Sequence, residues 1–335
     1  MSAHRISVAL CAYNGQEYLA EQLASIANQS RLPDELIVVD DGSHDHSVNI
    51  VDAFAKRAPF ETKVFVNEAN VGASKNFERA IGLCTGDIIA LADQDDVWHI
   101  HKLQRIEELF VSSPEIGAVF TNGEVVGPDL QPFGVRIWEA AHFSRPLQAL
   151  VQNGRAIDVL MKFNVVTGAT LAFRRTFVDL VMPIPSVWVH DGWIAFIIAS
   201  AGKIACLDEP LVFYRQHGKN QIGAASTVLA RRIAASWQAA PRNHLVTLSQ
   251  TIEQYKMLGE HLSAKLNEFS KGGALISRLN QKILHLQRRR DALSTHRKML
   301  SRLITELVTG RYHRYSLGWR GFANDLIYLL RTRTG

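Results

Sequence analysis

Cysteine is scarce in this 335-residue chain. Cys11, Cys84 and Cys206 lie far apart, with no C-x-x-C pair. That excludes a disulfide framework and a cysteine-based zinc site, and it fits a reducing compartment. Long apolar runs are missing too. The longest, Trp193–Ala201, is bounded by Asp191 and Lys203 and is too short to cross a bilayer. Met1–Arg5 leads straight into a strand-like segment without the apolar stretch of a signal peptide. By its own signals the chain is expected to be neither secreted nor integral to a membrane. No G-x-G-x-x-G follows the first strand-like segment and no G-x-x-x-x-G-K-[ST] occurs anywhere, which argues against a Rossmann-type dinucleotide site and a P-loop.

Hydrophobic residues make up 47% and charged residues 21%, the balance of a globular protein. At about 100–200 residues per domain, the length predicts two units. The net charge of +5 is unevenly spread: residues 1–225 carry −8 and residues 226–335 carry +13. A basic region beside an acidic body predicts a second task, on a phosphate-bearing surface. Gly218–Ser226 is rich in small and polar residues and reads as a linker.

The first 120 residues alternate two patterns. Ile6–Cys11, Leu36–Val39, Lys63–Val66, Ile88–Ala92 and Ala118–Thr121 are short apolar strands. Between them run segments of helical spacing, such as Leu19, Leu23 and Ile26, or Leu103, Ile106 and Phe110. Apolar strands alternating with amphipathic helices predict an α/β fold with a mostly parallel sheet covered on both faces. Ligands of such sheets bind outside the carboxyl ends of the strands. Three polar loops fall there: Ala12-Tyr13-Asn14-Gly15, Asp40-Asp41-Gly42-Ser43 and Asp93-Gln94-Asp95-Asp96. Turn-forming residues alone could account for any one of them; three in succession point to a site. In an extended segment residues two apart face the same way, so Asp93 and Asp95 can share a divalent cation that bridges to a diphosphate.

The segments SVALCAYNGQEYLAEQLASIANQ, DELIVVDDGSHD, NVGASKNFERA, GDIIALADQDDVW, VVTGATLAFRR and HDGWIAFIIASAGKIACLDEPLVFYRQHGKN occur in this order. Together they resemble glycosyltransferase family 2, in particular its bacterial O-antigen and capsule branch, which includes rhamnosyltransferases. The resemblance covers about residues 5–223. It implies a GT-A fold over residues 1–225 and inverting, metal-dependent transfer of rhamnose, galactose or glucose from a dTDP- or UDP-linked donor. The acceptor would be a growing surface polysaccharide or lipid-linked glycan. Carried over residue by residue, Tyr13 would stack on the base and Asp41 would accept its imide hydrogen, with Ala12 and Asn14 alongside. Asp95 would be the main ligand of Mn²⁺ or Mg²⁺, with Asp93 near the ribose or the metal. Lys75 and Lys102 fall where a cation near the donor is common. Ala12 stands where the family usually has Thr.

Asp191 opens a helix-like run and could cap it; the resemblance makes it the general base that deprotonates the acceptor hydroxyl. Tyr214-Arg215-Gln216-His217-Gly218-Lys219-Asn220 resembles the family's closing loop. Arg215, His217 and Lys219 would clamp the diphosphate, and His217 would add a metal ligand. Val166–Thr170 would wall the acceptor pocket. Trp98, Trp188 and Trp193 could stack on sugars or pack in the core.

Residues 226–335 lie mostly outside the resemblance and are expected to be helical. Leu279, Ile283, Leu286, Leu293, Leu300 and Ile304 repeat at four-three spacing, but Arg290 and Arg297 share the stripe, against a strict coiled coil. Tyr312, Tyr315, Trp319, Phe322, Leu326 and Leu329 form an aromatic stripe flanked by arginines, which suits an anionic membrane interface, docking on the catalytic domain, or homo-oligomerisation. Membrane contact would make the protein peripheral on the cytoplasmic face of the plasma membrane. No zinc spacing or nucleic-acid-binding signature is present. Two other readings remain: a sugar-phosphate nucleotidyltransferase, which would want a basic glycine-rich loop where AYNGQEY stands, and a catalytically silent membrane adaptor.

Overall fold

A computed structural model describes residues 4–218, 244–265, 272–294 and 299–332. They form two units, one of residues 4–156 and 165–218, the other of 157–164 and 244–332. The second unit is therefore not one continuous stretch. The expected linker lies, from Lys219 onward, outside the described residues.

The first unit begins β1 (Ile6–Ala12), α1 (Leu19–Ala27), β2 (Glu35–Asp40), α2 (Ser47–Ala55), β3 (Glu61–Val66), α3 (Ala73–Leu83) and β4 (Ile88–Asp93). It continues through β5 (Val97–Trp98), α4 (Lys102–Ser112), β6 (Ile116–Val126), β7 (Pro132–Arg136), α5 (Ile137–Ala140) and α6 (Arg145–Gln152). After helix α7 (Ala156–Leu160), which from Ile157 belongs to the second unit, the first unit resumes with β8 (Leu171–Arg174), α8 (Val178–Val181), α9 (His190–Ala201) and β9 (Lys203–Arg215). The sheet order is β3-β2-β1-β4-β8-β6-β9-β5, with β7 on β6. β1 to β4 are parallel; β8 enters antiparallel between β4 and β6.

Every residue of β1 and β2 is buried, which is why these strands read as continuous apolar runs instead of alternating. Register then positions the site. Ala12 pairs with Asp40 and Cys11 with Asp93, so the polar loops after β1, β2 and β4 leave the sheet at one level. Helix α9 is apolar all round and sits in the core, with Trp193 fully buried and its Nε1 donating to the Val181 carbonyl at 2.7 Å. Trp98 is buried too. These two tryptophans are core residues, a correction to their sugar-stacking alternative.

In the second unit, α10 (His244–Ala264) packs on α11 (Gly272–Ser294), followed by α12 (Met299–Val308), α13 (Arg311–Tyr315) and α14 (Trp319–Thr332). Leu248, Ile252, Tyr255, Leu258 and Leu262 recur every three or four residues and are buried. Residues 157–164 join through the Met161 carbonyl, which accepts from Lys282 Nζ at 2.5 Å, and through Asp158, paired with Arg278 at 2.5 Å.

Two carboxylates organise the bundle. Arg289 holds Asp325 in a two-toothed bond of 2.7 and 2.9 Å; Tyr312 and His244 complete its shell. Glu306 accepts from His285, Arg288 and Arg311 at 2.7–3.0 Å. Burial alone would raise Glu306, but hydrogen bonds from His285 and Arg288 outweigh it and hold it at about 2. Asp325 is likewise lowered: burial opposes this, and Arg289 dominates the balance. Both folded values lie below those of the unfolded chain. The stabilisation is therefore complete above the ordinary carboxylate range near pH ~4 and is lost as pH falls toward 2. Helical circular dichroism followed in urea at stepped pH should show the bundle's unfolding midpoint fall over that interval. A flat midpoint would rule out this linkage.

The structure divides the aromatic stripe. Helix α13 ends at Tyr315, α14 starts at Trp319, and Gly318 between them takes a left-handed φ of 60°. Tyr312, Tyr315 and Leu329 are buried inside the bundle, a correction to the membrane expectation for those three residues, whereas Trp319 is exposed. The four-three leucine stripe also divides: Leu279, Leu286 and Leu293 are buried, Leu300 and Ile304 exposed.

Candidate functional site

The loop after β1 is tied to both of its neighbours. The Gln94 side chain accepts from the Tyr13 amide at 2.7 Å and donates to the Tyr13 carbonyl at 3.0 Å. The Asn14 amide donates to Ser43 Oγ at 2.8 Å, and Asn14 Oδ1 accepts from the His44 amide at 2.9 Å. Asn14 pays for this with a left-handed φ of 48°, a region asparagine tolerates better than most residues. Ala12 is buried and its carbonyl accepts from the Asp41 amide at 2.7 Å. The Tyr13 ring is 40% exposed above this floor.

Asp41 is buried, and both carboxylate oxygens are engaged within the protein. One accepts from Asn67 Nδ2 at 2.6 Å and the Val71 amide at 2.9 Å; the other accepts from the Gly72 amide at 2.9 Å. It thus orders the 67–72 loop. Lys75, on α3, pairs with Glu78 at 2.9 Å.

The carboxylates after β4 gather closely. Asp95 Oδ2 lies 2.9 Å from His217 Nε2. Asp96 is fully buried; Oδ1 accepts from the Arg215 amide at 2.9 Å, while Oδ2 has no partner. Burial, then Asp95 and Asp191, raise Asp93 to about 7. Burial, with Asp95 and Asp93, also raises Asp96. The buried Lys102 stands near both, donating to the Ala169 carbonyl at 2.6 Å over the Trp98 ring; burial lowers it. Its ammonium is directed into the protein.

Arg215 is 1% exposed. Its guanidinium donates to the Asp95 carbonyl at 2.8 Å, to the Pro128 carbonyl and to Glu21, and lies 4.4 Å from the Tyr18 ring. The expected phosphate clamp is revised accordingly: Arg215 fixes the backbone of the Asp95 loop from behind. The Tyr18 ring also meets the His217 ring at 4.7 Å, so it stands between Arg215 and His217. Lys219 lies outside the described residues.

Asp191 sits in the first turn of α9, where Val189 occupies the cap position, so it is not the cap. Its Oδ2 accepts from the Gly168 amide at 2.9 Å. Gly168 opens a 3₁₀ turn to Thr170; a Cβ there would lie 2.6 Å from His190 Nε2. The buried His190 ring stacks on Phe77 at 3.9 Å, and both its nitrogens lack partners. The chain therefore gathers Asp93, Asp95, Asp96, Asp191 and His217 into one acidic cluster. Gln94, Tyr18 and His190 were not anticipated; no spacing rule marks a glutamine that bonds a neighbouring backbone.

Among the described residues no three His, Cys, Asp or Glu side chains form a ready metal cage. A magnesium-type ion seldom needs one, since it takes one or two carboxylates and completes its shell with substrate phosphates and water. The unpartnered Asp96 oxygen, and the raising of Asp93 and Asp96 by burial and by the carboxylates beside them, are what carboxylates short of positive charge show, so the residues fit a divalent cation.

The sequence profile described as glycosyl transferase family 2 matches residues 7–163. An uncharacterized glycosyltransferase of Nostoc is 33% identical over 237 residues, 69% of this chain and 71% of its own length. A dTDP-rhamnosyl transferase of Shigella flexneri is 25% identical over 232 residues, 64% of this chain and 74% of its own. Among solved structures, S. aureus TarS with UDP-GlcNAc superposes with a TM-score of 0.55 at 17% identity, covering 99% of this chain and 92% of that one. A Pyrobaculum calidifontis mannosyltransferase with GDP-Man and Mn²⁺ gives 0.50 at 18%, covering 100% and 88%. The fold is of the GT-A kind.

Proposed function

Because the chain belongs to glycosyl transferase family 2, we propose that it moves a sugar from a nucleoside-diphosphate donor to a glycan hydroxyl with inversion. The observation that carries this reading is that Asp191 stands near enough to Asp93, at the end of β4, to help raise it, where the polar loops after β1, β2 and β4 leave the sheet at one level. The base would rest on the exposed Tyr13 ring over the Asp41-ordered loop. Asp95 would hold the cation, with Asp93 and His217 beside it. A cation bound there supplies positive charge to the departing diphosphate.

Asp191 takes the proton of the acceptor hydroxyl. The hydroxyl oxygen then forms a bond to the anomeric carbon on the face opposite the diphosphate. The old anomeric C–O bond breaks, and its electron pair leaves with the nucleoside diphosphate. The Gly168 amide orients the Asp191 carboxylate for this step. The name of the Shigella relative supports dTDP-rhamnose as donor; UDP-galactose and UDP-glucose are the competing donors. A polyprenyl-linked glycan at the inner face of the plasma membrane is the acceptor this reading favours.

Calorimetric titration with UDP, dTDP and GDP, with and without Mn²⁺, tests it. Binding of one nucleotide that strengthens with Mn²⁺ is the expected result. A folded protein that binds none would remove both the donor site and the Asp95 metal role.

A further inference from the structure

Residues 299–332 contain two acidic groups, Glu306 and Asp325. Both are buried, 1% and 0% exposed, and held by arginines inside the bundle. What this segment shows to solvent is therefore uncharged or positive. Arg302, Arg314 and Arg320 are exposed upon it.

Its helices also turn apolar side chains outward. On α12, Leu300, Ile304 and Val308 recur every four residues, and Val308 is 79% exposed. On α14, Trp319, Ala323, Ile327 and Leu330 follow four-four-three spacing; Trp319 is 68% and Leu330 56% exposed. This outer stripe of α14 differs from the buried Gly321, Asp325 and Leu329 that face the bundle. Helix α14, with an inward face complete in itself, an outward apolar stripe ending in tryptophan, and exposed Arg314 and Arg320 close in sequence, has the composition of an interfacial helix; the exposed Asp291 of α11 lies beside Arg302, at α12.

We propose that the outer stripes of α12 and α14 seat this unit in the interface of an anionic lipid bilayer. The occupant follows from charge. A second copy of the same surface would bring arginines against arginines, whereas acidic headgroups complement them and the stripe enters the acyl boundary. No described helix is long and apolar enough to cross a membrane, so the contact is peripheral. The inference does not depend on the donor site.

The test is flotation of the full chain with phosphatidylcholine vesicles, with and without phosphatidylglycerol. Wild type should float with the anionic vesicles and be released by salt. The Trp319→Glu/Ile327→Glu/Leu330→Glu variant should lose on the order of tenfold or more in partitioning, with its helical circular dichroism unchanged. Arg314→Gln/Arg320→Gln, away from the stripe, should weaken binding to anionic vesicles by about tenfold or more while leaving the residual binding to neutral ones. Wild type that stays behind, or a folded stripe variant that floats equally well, overturns the proposal. So does a self-association in ultracentrifugation that the stripe variant abolishes without vesicle binding; that result would make the face an interface between copies.

Discussion

Asp191→Asn should lower kcat by about a thousandfold while changing donor affinity little. General-base catalysis contributes roughly 10²–10⁴-fold, so removing the base without removing the donor pocket should cost within that range. The substitution is conservative in structure, because an asparagine oxygen can still accept from the Gly168 amide. It is severe in chemistry, because a carboxamide does not take the acceptor's proton. Steady-state turnover alongside nucleotide calorimetry separates the effects. Equal losses in kcat and in nucleotide affinity would mean that Asp191 serves the architecture around Gly168 and not the reaction.

Asp325→Ala should cost about 3–5 kcal/mol, the usual penalty for breaking a buried ion pair from one side. The alanine leaves the Arg289 guanidinium buried without its two-toothed partner and strands the Tyr312 hydroxyl and His244 ring nitrogen. The penalty comes from the charge left behind, so replacing both partners, as in Arg289→Met/Asp325→Leu, should recover much of the loss. Urea unfolding followed by helical circular dichroism measures both variants. A single variant within about 1 kcal/mol of wild type would mean that water reaches Arg289 and the pair contributes little.

The loops of the candidate donor side were legible because strand ends are legible. Apolar runs such as Ile6–Cys11 and Ile88–Ala92 mark buried strands, and the polar residues that follow them must emerge at one edge of a parallel sheet. Tyr13, Asp41, Asp93 and Asp95 follow such runs and so collect at one edge. Strand pattern does not set which way a side chain turns, and Arg215 is the instructive case. An arginine two residues before His217 reads as a phosphate ligand, yet its guanidinium faces Glu21 and the Asp95 and Pro128 carbonyls. Periodicity in the second unit met a similar limit. The Tyr312–Leu329 spacing is real, but spacing does not separate an inward stripe from an outward one, and the turn at Gly318 shifts the phase between α13 and α14. Buried arginine pairs there leave no trace in composition beyond the charge excess they help create.

The reciprocal bond between Gln94 and the Tyr13 backbone joins the loops that would meet the base and the diphosphate. Segments already fastened together surrender little motional freedom when a guest arrives. A nucleotide entering here would not need to organise its own cradle. Recognition of the donor's nucleotide half can then be fast and nearly rigid, and the discrimination among donor sugars falls to parts of the chain that this fastening does not reach.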